Sequence, residues 1–126
     1  MKKIFYITHD VYESQTLVAI GVSDKAIVKY LKKHKANMKY DDEFYRGIKC
    51  AGYGRTASRG SFTMIRMKNF KGTPRCMNTL THEAFHLAEH LFNRMGIFHD
   101  WNTSGEAWAY FIGYTVEQVL ENLTEE

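Results

Sequence analysis

The chain has 126 residues, a length suited to one domain around one modest core. An apolar fraction of 44%, a charged fraction of 25% and 14% aromatics exclude a disordered or fibrous chain. The net charge of +3 is unevenly spread: residues 1–81 hold 16 Lys and Arg against 6 Asp and Glu, and residues 82–126 hold 1 against 8.

Residues 3–8 are rich in β-formers and predict a strand, and residues 16–22 predict a second. The basic start, Met1-Lys2-Lys3, resembles a secretion signal only as far as His9 and Asp10 and lacks a small-residue cleavage site, so a cytoplasmic location is expected. No segment reaches the roughly 20 apolar residues of a membrane span. Ser23 is placed as an N-cap with Asp24 in the first turn, and Ile27, Val28, Tyr30 and Leu31 form a helical stripe to about Lys35. Phe44 to Ala51 is read as a strand, and Gly52, Gly54, Ser58 and Gly60 mark turns or a flexible loop. Residues 61–70 predict a strand whose Arg66 and Lys68 suggest an exposed edge. From about Arg75 to Met95 the pattern is helical, with Leu80, Ala84, Leu87, Ala88 and Leu91 on the apolar face and Gly96 as its stop. A loop follows, and Ser104 is expected to cap a last helix carrying Ala107, Trp108, Phe111, Ile112, Val116, Val119 and Leu120. Strands first and packed helices last indicate an α+β domain spanning residues 1–126.

The chemistry lies in His82-Glu83-Ala84-Phe85-His86, an HExxH motif on the predicted helix. Histidines at i and i+4 lie above one another on one helix face, so both imidazoles can reach a single ion at about 2.0–2.1 Å. The glutamate beside the first histidine can take a proton from a water acidified by zinc (Zn2+). A chance HExxH in a chain of this composition has a probability of roughly 2%, so the motif outweighs the alternative of a histidine-rich amphipathic helix. A catalytic zinc keeps three protein ligands and one open position. Glu106, near the start of the last helix, is the favoured third ligand, and His99 in the connecting loop is the alternative. His90 stands about 6 Å along the helix from His86 and is assigned to a supporting or gating role. Glu89 is expected in solvent.

His82-Glu83-x-x-His86, the glycine stop at Gly96 and Glu106-Ala107-Trp108-Ala109-Tyr110 together resemble zinc metallopeptidases of the gluzincin type. That resemblance implies His82, His86 and Glu106 as ligands and Glu83 as general base. The spacing His82-x-x-x-His86-x-x-x-His90 also resembles the small ImmA/IrrE-like peptidases of phages and mobile elements. It departs from metzincins, because Glu89 and Phe92 stand where that group has Gly and His. The implied fold is a zincin-like domain, a small, mostly antiparallel sheet packed on the HExxH helix and a following C-terminal helix. The expected activity is zinc-dependent hydrolysis of peptide bonds in a peptide or protein substrate.

Two further readings stand beside it: a non-catalytic, zinc-stabilised interaction module, and a SprT-like DNA-associated protease with His99 as ligand. A fourth protein ligand marks the former and His99 the latter. Tyr110 and Tyr114 are read as packing residues that could otherwise donate to an oxyanion, and Trp101 and Trp108 as packing residues. Strand 61–70 could accept an extended peptide by strand addition. The two cysteines, Cys50 and Cys76, are too few for a disulfide framework and are expected as reduced, partly buried thiols.

The basic N-terminal half is the candidate surface for a polyanion. Fluorescence anisotropy with labelled duplex DNA should report weak binding that weakens with salt, by a log–log slope of about −0.9 per neutralised phosphate. No binding at tens of micromolar protein in low salt removes nucleic acid as a partner.

Overall fold

A computed structural model describes residues 1–34, 36, 38–50 and 52–124. The chain is an α+β fold in which four strands form one mixed sheet and helices cover both faces. β1 (Lys3–His9) and β2 (Ser14–Ile20) are antiparallel, joined through a 3-10 turn at Asp10–Tyr12. β3 (Gly54–Arg59) and β4 (Phe62–Met67) form a second antiparallel pair, and β2 runs parallel to β4, giving the order β1-β2-β4-β3.

Strand alternation distributes the core over two faces. Leu17, Ala19, Ala57 and Met64 meet α1 (Asp24–Lys33) and α2 (Asp42–Ile48) through Ile27, Val28, Leu31, Phe44 and Ile48. On the opposite face, Val18, Ile20, Ile65 and Met67 meet α3 (Pro74–Arg94) and α4 (Gly105–Thr124) through Leu80, Leu87, Leu91, Phe92, Trp108 and Phe111. Thr73 caps α3, accepting from Cys76 N at 3.2 Å, with Pro74 in the first turn. Its C-terminus closes with Gly96 in the left-handed region (φ 73°), Ile97 N donating to Phe92 O at 2.8 Å and Gly96 N to Asn93 O at 3.2 Å. No helix among the described residues is long and apolar enough to cross a membrane.

Four expectations need correcting. Residues 42–48 form a helix, not a strand. Asp41 accepts from Phe44 N at 2.9 Å as its N-cap, and Phe44 and Ile48, four apart, bury one helical stripe. The segment read as a loop after Gly52 contains β3. Strand 61–70 is not an edge: β4 lies between β2 and β3, and Arg66 is only 8% exposed. Its guanidinium reaches Asp24 Oδ1 at 2.5 Å, Ile48 O at 2.9 Å and Val22 O at 2.9 Å, so this charge fastens α1 and α2 to the sheet instead of facing water. Ser104 does not cap α4 with its side chain. Its hydroxyl donates to Phe98 O and accepts from Asp100 N, and only its carbonyl receives Trp108 N.

Beyond β1 the sheet is closed by α4. Gln118 brackets the Thr8 backbone, its Oε1 accepting from Thr8 N at 3.3 Å and its Nε2 donating to Thr8 O. Beside it, His9 is buried and stacked on Phe111, with centroids 4.1 Å apart. Thr115 donates its hydroxyl to Phe111 O at 2.8 Å, so at 2.8 Å it accepts from His9 Nε2–H. His9 Nδ1 is then a buried acceptor with no partner among the described residues. Burial lowers the pKa of His9 from 6.5 to about 4, against a smaller opposing pull from Asp10. The unfolded chain therefore binds this proton more readily, and folding stability should fall as pH drops from about 6.5 towards about 4. Urea unfolding across that range should show the decline, and His9→Gln should flatten it.

Candidate metal centre

The long α3 carries the motif, and its periodicity sets which way each residue turns. Glu83, Ala84 and Leu87 are buried, while His82 is exposed and His86 half-buried on the rim. His82 Nε2 and His86 Nε2 converge to 3.1 Å. Two ligands of one tetrahedral zinc, each bonded at about 2.0–2.1 Å, stand about 3.3 Å apart, so the rings need to part by only a few tenths of an ångström.

Glu89 orients the second ring. Its carboxylate lies 2.6 Å from His86 Nδ1, across one helical turn. An ionised carboxylate only accepts, so Nδ1 carries the proton and the Nε2 lone pair faces His82. Glu89 is thus half-buried and bonded, not a solvent residue as the sequence suggested. The i, i+3 spacing from His86 was the available signal.

Glu83 is only 6% exposed and leans on β3. Thr56 Oγ1 lies 2.8 Å from Glu83 Oε1 and 2.9 Å from Glu83 O. Its one proton can serve either acceptor, and Glu83 Oε2 has no partner among the described residues. Glu83 and His82 line a cavity of about 350 Å³ with Tyr53, Gly54, Arg75, Asn78 and Thr79. Thr56 lay in a stretch read as a loop and carried no sequence signal of this role.

The remaining candidates are elsewhere. Glu106 is exposed on α4, on a face with Ala109, Tyr110, Gly113, Tyr114 and Glu117. Trp108, two residues further along α4 and so on the opposite side of the helix, does reach back to α3, with ring centroids 5.8 Å from Phe85 and 5.3 Å from Phe92. His99 is exposed and packs edge-on against Trp108 at 5.6 Å. Among the described residues no three His, Cys, Asp or Glu side chains are grouped to hold a metal ion, so neither Glu106 nor His99 is brought to the histidine pair. His90 lines a groove along β3, and burial lowers its pKa, with Glu89 opposing and His86 and Arg94 assisting. Tyr110 and Tyr114 are exposed and border a hollow with His9 and Val11, so they pack less than expected and stand apart from the cavity at His82. Trp108 packs in the core, but Trp101 is 88% exposed. Comparison with protein-family models, curated proteins and solved structures returns no significant match.

A methyl group on Gly54 would lie 2.9 Å from the Thr79 methyl, 3.0 Å from Arg66 O and 3.3 Å from Glu83 Cγ. Gly54→Ala should therefore destabilise the fold by about 1–3 kcal/mol, as overpacking does. Gly47→Ala adds a methyl to a helix with nothing within 4 Å and should be neutral or stabilising, by up to about 1 kcal/mol. Equal effects of the two substitutions in urea unfolding would contradict this close approach of β3 to α3.

Proposed function

We propose that the protein is a zinc-dependent peptidase with a zincin-like site at the open edge of β3. The observation carrying this reading is the 3.1 Å convergence of His82 Nε2 and His86 Nε2 beside the anchored carboxylate of Glu83. The cation supplies positive charge that polarises a peptide carbonyl and acidifies a water. His82 and His86 would hold it, and Glu89 keeps His86 in the tautomer that can. Glu106 is assigned as the third ligand from the resemblance to gluzincins, and reaching the histidine pair requires the first turn of α4 to turn its exposed side towards α3. Glu83, held by Thr56 through Oε1, takes the water's proton on Oε2 and returns it to the leaving amine.

The edge of β3 suits an extended substrate. Tyr53 O accepts from Lys68 N, and the hairpin turns between Arg59 and Phe62, so residues 53, 55, 57 and 59 bond towards β4. By alternation, the backbone groups of Gly54, Thr56 and Ser58 point outward. A peptide added there would pass Thr56, and hence Glu83. Strand addition thus moves from the strand first suggested, 61–70, to β3.

Purified protein prepared without chelator or nickel resin should carry about one zinc per chain, lost on double substitution of His82 and His86 by Ala. Glu106→Ala should weaken zinc retention strongly and His99→Ala should not. Glu83→Gln should keep zinc and stability while hydrolysis falls by about 10²–10⁴. A Gln variant as active as wild type would refute the mechanism. Zinc lost from the His99 variant and kept by the Glu106 variant would move the third ligand to His99.

A further inference from the structure

A groove of about 250 Å³ runs along the outer edge of β3, from Glu43, Gly47 and Ile48 of α2, past Arg55 to Arg59, to His90 of α3. Side chains of β3 alternate across the sheet. Thr56 faces α3, where it meets Glu83, and Ala57 faces α2, where it packs with Phe44 and Ile48. Arg59 lies on that second side, bonded to Asp41 Oδ1 at 3.0 Å. Arg55, two residues before Ala57 and four before Arg59, shares their side of the strand.

Several other arginines have visible partners. Arg59 has Asp41 and feels Glu43, Arg66 has Asp24, Arg75 sits 5.0 Å over the Tyr53 ring, and Arg94 donates to Gly60 O. Arg55 has no hydrogen bond or ion pair among the described residues, and its Nε is buried without an acceptor. A guanidinium nitrogen removed from water and left unpaired is costly, and the partner that best fits a planar guanidinium is a carboxylate. Glu43 lines the same groove but makes no hydrogen bond or ion pair with Arg55 among the described residues.

We propose that Arg55 is a specificity determinant that binds an aspartate or glutamate side chain of an extended peptide lying along β3, so that the substrates are peptides acidic beside the cleaved bond. The inference rests on the peptidase reading and on strand addition at this edge. Residues opposite one another on paired strands project to the same face. The substrate residue opposite Arg55 therefore turns its side chain towards Arg55, while its neighbours turn theirs to the side of α3. A carboxylate there accepts from the guanidinium, Nε–H included, and an amide of the same shape lacks the charge.

The zinc-loaded protein is tested on a position-scanned library of octapeptides, each position held in turn as Glu or as Gln. The expected result is a preference for Glu of about tenfold or more at one position adjoining the cleaved bond. Arg55→Gln should abolish that preference by lowering cleavage of the Glu series towards that of the Gln series, and Arg55→Lys should keep part of it. Because Arg55 has no hydrogen bond or ion pair among the described residues, Arg55→Gln should unfold at no lower urea concentration than wild type. Cleavage of Glu and Gln peptides at equal rates, or a preference that survives in Arg55→Gln, overturns the role of Arg55 and leaves the peptidase reading standing. If neither series is cleaved, and zinc-loaded Glu83→Gln captures neither, peptide hydrolysis fails and this inference with it.

Discussion

The contact between β3 and α3 at Gly54 is the constraint on which the proposed centre depends. Lacking a side chain, Gly54 lets the strand come close enough for Thr56 to reach both the carbonyl and the carboxylate of Glu83. That hydroxyl turns a helical glutamate, ordinarily a solvated side chain, into a group held at a fixed place beside His82. Helix and strand thereby define one wall and one floor of the cavity, and His82 stands at its rim.

How much of this could be read from the residues follows from how much each segment repeats. The HExxH helix was legible because its 3.6-residue pattern persists for 21 residues, between Thr73-Pro74 and Gly96. Short elements carry no such redundancy. α2 has only two buried apolar residues, Phe44 and Ile48, and its Asp41 cap was the better signal. β3 reads Gly-Arg-Thr-Ala-Ser-Arg, a composition indistinguishable from a loop. It is a strand because the hairpin at Gly60 brings it alongside β4, a tertiary cause that local propensity does not express. Arg66 misled for a related reason. A charge in a strand signals exposure unless carbonyls and a carboxylate from other elements surround it, as Val22, Ile48 and Asp24 do.

The site was legible in part. Spacing along one helix brought His82 and His86 together, and the same rule applied to Glu89 would have found the carboxylate on His86. Partners from other elements were beyond such a rule. Thr56 reaches Glu83 from a strand 27 residues away, and Glu106 and His99 belong to a region whose placement against α3 depends on how Trp108 packs between Phe85 and Phe92.

The two borders of the sheet are treated unlike each other. At β1 the amide of Gln118 imitates a neighbouring strand for one residue, offering an acceptor and a donor to Thr8. At β3 the outward backbone groups have no such imitation, but they lie recessed between residues of α2 and α3. An exposed sheet border invites endless stacking of like molecules. Here α4 stands across one border and residues of α2 and α3 flank the other, so neither is a bare strand and the two do not match each other as places to stack. A sheet with two unlike ends has a direction, and growth by copies of itself would have to join ends that do not fit.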